Sequence, residues 1–213
     1  MKGPETSGNG QVPVLECMGV ERRFGGLVAV SGVDLRLEKG EIFGLVGPNG
    51  SGKTTLTNAI TGFYPPQKGK ILLGGKDITG TAPHKVAGMG VARTFQNLAL
   101  FNGMSVLDNI LLGRHIHMNP GVIRTALYWW LARPEEIANR EVVEEVIDFL
   151  QLESIRHELV DGIPIGLKKR VELARALVAE PHLLILDEPM AGMNQEEKEY
   201  MARFILDARA ERG

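Results

Sequence analysis

The sequence predicts an α/β fold, and three of its features carry that expectation. An apolar run, Ile42-Phe43-Gly44-Leu45-Val46, leads through a glycine-rich stretch into helix-competent residues, Lys53-Thr54-Thr55-Leu56-Thr57-Asn58-Ala59-Ile60. A second apolar run, Leu183-Leu184-Ile185-Leu186, ends in Asp187-Glu188-Pro189, the pattern of a buried parallel strand with polar groups at its C-terminal edge. The residues between are patterned mostly for helix.

Residues 1–12 are polar and Gly-rich, without the apolar core of a signal peptide, and read as a frayed arm. Short β-like runs at 12–20, 28–37 and 41–46 are split by Gly25-Gly26 and Lys39-Gly40. They predict antiparallel strands feeding the strand ahead of the glycine-rich loop. After the loop helix, Pro65-Pro66-Gln67-Lys68-Gly69 reads as a turn, and 70–73 and 90–95 as further strands. Ser105 with Asp108 resembles a capping box opening a helix over 106–112. Asn119-Pro120-Gly121 breaks the next segment. Residues 135–152 place Ile137, Val142, Val146, Phe149 and Leu150 near helical spacing. A helix over 168–178, a strand over 183–186 and a helix over 195–212 complete the pattern, with no internal repeat.

A chain of 213 residues can bury a real core. With 24 basic and 26 acidic side chains the net charge is −2, so no strong field argues for nucleic acid or anionic lipid. Cys17, the single cysteine, excludes an internal disulfide and fits a reducing compartment; it reads as a small core residue in a strand. No stretch approaches the roughly 18 apolar residues of a membrane-spanning helix.

Chemistry concentrates in two places. Gly47-Pro48-Asn49-Gly50-Ser51-Gly52-Lys53-Thr54 matches G-x-x-x-x-G-K-[ST] at every fixed position. Glycines let successive N–H groups turn inward, and a helix N-terminus beginning at Lys53-Thr54-Thr55 adds its positive dipole end, so the loop suits a triphosphate. Lys53 would reach the β- and γ-phosphates and the Thr54 hydroxyl would ligate Mg²⁺. At the second place, Asp187 can hold Mg²⁺ through its water shell and Glu188 can polarise the attacking water. Asp-Glu-Pro after a strand is also an ordinary turn. The phosphate loop upstream favours the catalytic reading.

From about Leu15 onward the chain resembles the nucleotide-binding subunit of an ATP-binding-cassette (ABC) transporter, a P-loop NTPase. Such a subunit has an antiparallel β part and a helical subdomain beside its α/β core. The likeness lies in the order of features: an aromatic, the phosphate loop, a strand ending in Gln, helices, and a signature turn about twenty residues ahead of the Asp-Glu pair. It implies a β and phosphate-loop part over 13–97, a helical part over 98–162 and a signature and acidic-edge part over 163–213. Phe24 stands where the family stacks an aromatic on adenine; a core Phe under a loop is the competing reading. Gln96, in Thr94-Phe95-Gln96-Asn97, resembles the glutamine that contacts Mg²⁺ and the attacking water. The resemblance thus implies Glu188, Gln96 and Lys53 in catalysis, and Thr54, Gln96 and Asp187 at the metal. The nucleotide would be held by Phe24, Gly47, Pro48, Asn49, Gly50, Ser51, Gly52, Lys53, Thr54 and Thr55.

The signature turn departs from the common Leu-Ser-Gly-Gly-Gln pattern, reading Ile163-Pro164-Ile165-Gly166-Leu167. Only Gly166 of the polar core survives, where the family acts in trans on a partner's nucleotide. Pro164 offers neither hydroxyl nor N–H, a lost charged hydrogen bond worth roughly 1.5–3 kcal/mol, so closure of a dimer on ATP is expected to be weaker. Met190-Ala191-Gly192-Met193-Asn194 stands in the place of the D-loop, with Asn194 for the usual Asp; Asn194 could equally cap the helix at Gln195. The proline, the Ala-Gly-x-Asn turn and Gly25-Gly26-Leu27-Val28-Ala29-Val30 resemble ATPase subunits of branched-chain amino acid importers.

The family carries a further strand and a switch histidine beyond the last helix. His84, His115, His117, His157 and His182 all precede that place, so the reading is a truncated chain with slow or absent turnover. Tyr128-Trp129-Trp130 cannot all face one core from a helix, and one Trp could meet the membrane partner or could simply pack inside. His115 and His117 flank Ile116 without a nearby Cys or carboxylate and make no metal site. The resemblance implies ATP and Mg²⁺, a second ATP-binding subunit (the same or different), transmembrane permease subunits, no nucleic acid, and a peripheral place on the cytoplasmic face of the plasma (inner) membrane. Two other readings remain open, a soluble ABC ATPase of the DNA-repair or translation type and a non-catalytic nucleotide-binding module.

Overall fold

In the computed structural model, which describes residues 12–94, 98–117 and 133–212, the β-like pattern around Gly25-Gly26 becomes a hairpin. Its strands are β1 (Leu15–Phe24) and β2 (Leu27–Leu37), paired antiparallel from Leu15↔Leu37 to Phe24↔Leu27. β1 also pairs antiparallel with β3 (Lys68–Leu73), and β3 with β4 (Lys76–Asp77), giving the order β2-β1-β3-β4. Leu15, Cys17 and Val20 of β1 are buried; the register shift between Cys17 and Val20 keeps the third of them inward despite the odd spacing. Lys68 and Gly69, expected in a turn, belong to β3. Their ladder with β1 reaches Glu21↔Lys68, reinforced by a 3.0 Å ion pair between the same two side chains. Helix α1 (Lys53–Ile60) buries Leu56, Ala59 and Ile60, and α2 (Pro83–Ala87) buries Val86.

Residues 41–46 overturn an expectation. They form no strand, and Ile42, Phe43, Leu45 and Val46 are exposed. An apolar run reads as a buried strand only where another strand presents its edge. Among the described residues every ladder of this sheet is made by β1 to β4.

Backbone contacts divide the chain into Met1–Val86 and Ala87–Gly213. In the second unit β5 (Val91–Arg93) and β6 (Leu183–Ile185) pair in parallel, Val91↔Leu183 to Arg93↔Ile185. Both are shorter than the apolar runs suggest. Gly90 has already turned, its carbonyl accepting from the amides of His182 and Leu183. Helix α3 (Val106–Leu111) opens at the expected cap, Ser105 Oγ accepting from the Asp108 amide at 3.1 Å.

Helix α4 (Arg133–Phe149) and the residue after it bury part of the expected set, Val146 and Leu150, and add two residues outside it, Val143 and Ile147. Val143, Val146 and Ile147 are buried, with Leu150 just beyond, whereas Val142 and Phe149 are half-buried. The stripe 143, 146, 147, 150 follows i, i+3, i+4, i+7, and Phe149 packs against its edge. It packs with Val106 and Ile110, with Val171, Leu173, Ala174 and Leu177 of α5 (Ile165–Leu177), and with Met201, Phe204 and Ala208 of α6 (Gln195–Arg212). Each such large side chain contributes about 1.5–3 kcal/mol on burial. Buried Arg114 ties this core together, donating to the Val178 carbonyl at 2.8 Å, to Glu180 at 2.5 Å and to Asn139 at 2.8 Å. The Asn119-Pro120-Gly121 break and Tyr128, Trp129 and Trp130 lie outside the described residues.

Helix α5 begins three residues before the expected 168. Pro164 sits at its N-cap with φ −59, which suits a helix start. Gly166 and Leu167 are therefore helical, and the signature segment is the opening turn of a helix rather than a loop ahead of one.

Candidate functional site

The loop 47–52 is shaped by its glycines. Gly52 is the N-cap of α1, at φ 90, and a Cβ there would collide with the backbone carbonyl of Ala29 in β2. Both the left-handed backbone and the close approach of β2 demand glycine. Gly50 is also left-handed, at φ 81, and the Ser51 amide closes a turn onto Pro48 O at 3.2 Å. No side chain caps α1, and its first turn carries no acidic residue, so the attraction of its amides for an anion is not spent internally.

Lys53 Nζ donates to the carbonyls of Gly47 at 2.6 Å and Pro48 at 2.8 Å, which lays the ammonium across the loop's own backbone. Gly47, Pro48, Asn49, Gly50, Ser51 and Thr54 are exposed, and Thr55 is half-buried. The loop is thus open to its surroundings, with the Lys53 ammonium lying across it.

Phe24, at the end of β1, is 40% exposed, which removes the core-Phe reading. Its ring meets Tyr64 edge-on at 5.4 Å and 81°, and the Arg22 guanidinium lies 4.9 Å from the Phe24 centroid. Arg22 is itself held by Pro65 O at 2.7 Å. The sequence held a signal for Arg22, since strand residues two apart share a face. It held none for Tyr64, which arrives from the far side of α1.

In the second unit, Asp187 follows β6 directly. Its Oδ2 pairs with Arg93 Nη2 at 3.0 Å, with the side chains 18% and 6% exposed. Its amide donates to Thr94 Oγ1 at 3.2 Å, while the Thr94 amide donates to Ile185 O at 3.0 Å. Glu188 is exposed and left-handed at φ 48, a conformation that costs a non-glycine residue about 1–3 kcal/mol. Such strain persists where the surrounding turn imposes it, and the Glu188 carbonyl is fixed by the Ala191 amide at 3.1 Å. Gln96 lies outside the described residues. Just past it, the Ala99 carbonyl accepts from Arg175 of α5 at 2.5 Å, and burial lowers the pKa of that guanidinium.

Asn194 caps α6. Its Oδ1 accepts from the Glu197 amide and its own amide donates to Glu197 Oε2, each at 2.9 Å, a reciprocal capping box that the sequence left open. The other oxygen of Glu197 packs on Gly166, which is buried in the first turn of α5. The Gly166 backbone is thus covered by its own chain, a neighbour that no local sequence pattern indicates.

The donors at these positions are a hydroxyl and a carboxylate, hard oxygens that suit Mg²⁺ rather than a soft metal. Among the described residues no three His, Cys, Asp or Glu side chains form a metal cage. Mg²⁺ carried in with phosphates needs none, being held by one or two protein oxygens, phosphates and water.

The family profile described as ABC transporter matches residues 30–191, most of the chain. This chain belongs to the ABC transporter family. It is an ABC-type ATPase subunit, and ABC domains bind ATP, generally with Mg²⁺. It is 38% identical over 199 residues to the high-affinity branched-chain amino acid transport ATP-binding protein BraF of Pseudomonas aeruginosa, covering 93% of this chain and 78% of that protein. It is 36% identical over 197 residues to the corresponding protein LivG of Escherichia coli, covering 92% and 77%.

Among solved structures, a nucleotide-free ATP-binding cassette from an ABC transporter superposes with a TM-score of 0.79 at 30% identity, covering 93% of this chain and 78% of that one. The ADP conformation of an ABC transporter cassette matches with a TM-score of 0.78, also at 30% identity, covering 93% and 77%. The ABC fold expected from the motifs is therefore the fold observed. No helix among the described residues is long and apolar enough to cross a membrane.

Proposed function

We propose that this ABC subunit binds and hydrolyses ATP to drive uptake of branched-chain amino acids. It would work as a peripheral protein on the cytoplasmic face of the plasma membrane, docked on permease subunits and paired with a second ATP-binding subunit. The observation that carries the nucleotide part is the uncapped start of α1, with left-handed Gly52 pressed against the Ala29 carbonyl and Lys53 laid over the loop. The solute assignment is supported by the names of the relatives BraF and LivG.

In this reading the amides from Gly47 to Thr55 and the Lys53 ammonium hold the phosphates, and Phe24 stacks on the base. Thr54, Gln96 and Asp187 serve Mg²⁺. Glu188 is the general base, whereas Gly166, expected to act on the partner's nucleotide, lies covered by Glu197 of its own chain. When bound, Mg²⁺ would neutralise charge that develops on the transferring phosphoryl group. Lys53→Ala titrated with labelled ATP tests the cradle: affinity should fall about tenfold or more, the worth of a charged hydrogen bond to phosphate. Unchanged affinity overturns the reading. ATP-dependent accumulation of labelled leucine in vesicles holding the subunit with its permeases tests the solute class, and uptake of some other solute class alone overturns that part.

A further inference from the structure

The ion pair between Arg93 and Asp187 has no part in the chemistry so far assigned. We propose that Arg93 is a positioning residue for Asp187: it grips one carboxylate oxygen and thereby turns the other toward hydrated Mg²⁺. The proposal rests on the assignment of Asp187 to the metal.

Four observations carry it. The parallel register Arg93↔Ile185 sets the two backbones so that a guanidinium leaving the end of β5 reaches the residue two beyond Ile185. Contact is made through Oδ2 alone, Nη2 to Oδ2 at 3.0 Å, and among the described residues Oδ1 has no protein partner. Both side chains are largely withdrawn from water, 6% and 18% exposed, so the attraction between them is screened far less than on a surface. The backbone of Asp187 is pinned as well, its amide donating to Thr94 Oγ1 at 3.2 Å. A residue held at its backbone amide and at one carboxylate oxygen keeps the other oxygen for a ligand, and its rotation is restrained.

That arrangement suits the ion. Mg²⁺ gives up water reluctantly and demands near-octahedral placement of its ligands. A carboxylate whose charge is partly offset by an adjacent guanidinium favours the hydrated ion over direct capture, and one whose rotation is restrained presents its oxygen where a bound water can use it. Lysine in place of Arg93 keeps the charge but holds by a single rotatable point, so orientation is only partly retained.

The measurement is the ratio of ATP dissociation constants in EDTA and in Mg²⁺, with thermal unfolding of the nucleotide-free protein in EDTA run on the same samples. Arg93→Met should lower that ratio about tenfold, as loss of a group that orients a metal ligand does, and leave the affinity in EDTA unchanged. Arg93→Lys should fall between, and it remains informative where the methionine variant does not fold. In an Asp187→Asn background, Arg93→Lys should have no further effect on the ratio.

A ratio unchanged or raised in both Arg93 variants overturns the proposal. So does an equal loss of affinity with and without Mg²⁺, which would mark Arg93 as a support for the fold alone. Parent protein that fails to bind ATP in either buffer removes the underlying assignment. Parent protein that binds with a Mg²⁺ gain which the variants keep removes only the role of Arg93.

Discussion

A Cβ on Gly166 would collide with the carboxylate of Glu197, the side chain that completes the capping box of Asn194. One acidic residue thus closes the start of α6 and fills the space above the first turn of α5. Gly166→Ala should cost about 1–3 kcal/mol through overpacking. In a Glu197→Ala background, itself weakened by roughly 1 kcal/mol for the lost cap, the same change should be neutral or stabilising, because alanine is the better helix former. Urea melts of the four proteins check the cycle, and additive losses would contradict the contact.

Glu188 carries a second prediction. Glu188→Gln should lower ATP turnover by about a hundredfold or more while leaving ATP affinity close to the parent's. Glu188→Gly should lose turnover equally but gain roughly 0.5–2 kcal/mol of stability, since glycine occupies φ 48 without strain. Steady-state hydrolysis alongside denaturant unfolding separates the two effects.

Phe24 keeps 40% of its surface exposed beside Arg22 and Tyr64. Phe24→Ala should weaken ATP by about 1–3 kcal/mol, the usual worth of one stacked base, and leave inorganic tripolyphosphate binding unchanged. Phe24→Tyr should bind as the parent does. Competition titrations with the two ligands give the comparison.

Cys17 gives a pH dependence. Burial foremost, then the nearby Asp34 and Glu16 charges, pushes its thiol up from 9.0 to about 12. The folded protein holds that proton more tightly than the unfolded chain does. The stabilisation is therefore fully present below pH 9 and is lost as pH rises toward about 12. Cys17→Ala should flatten the fall in stability across that window, measured by urea melts at successive pH values. A thiol reagent near pH 8 should leave the folded parent unlabelled.

The sequence displayed the phosphate loop fully because every constraint there is local: glycine for a left-handed turn, lysine and threonine at the start of a helix. The start of α6 at Gln195 and the Ser105 cap were readable for the same reason. Features that depend on a neighbour far along the chain were not. Residues 41–46 have the composition of a strand, but composition does not supply an edge to pair with. The choice between Val142 and Val143 as core residues turns on how α4 rolls against α5, a matter of tertiary packing. Arg93–Asp187 and Gly166–Glu197 join residues 94 and 31 positions apart, and each partner alone looks like an ordinary surface charge or a helix-opening glycine.

Thr94 makes a hem at the end of a very short fabric. The ladder of β5 and β6 has three rungs, and Thr94 supplies a fourth by dividing its labour, amide to Ile185 and hydroxyl to Asp187. Because a side chain rather than a backbone carbonyl receives the Asp187 amide, the polypeptide is released from the pleat one residue later. Directly after that release Glu188 takes up its left-handed bend. Threonine to valine at this one selvedge should let the weave run on and carry the acidic pair out of line.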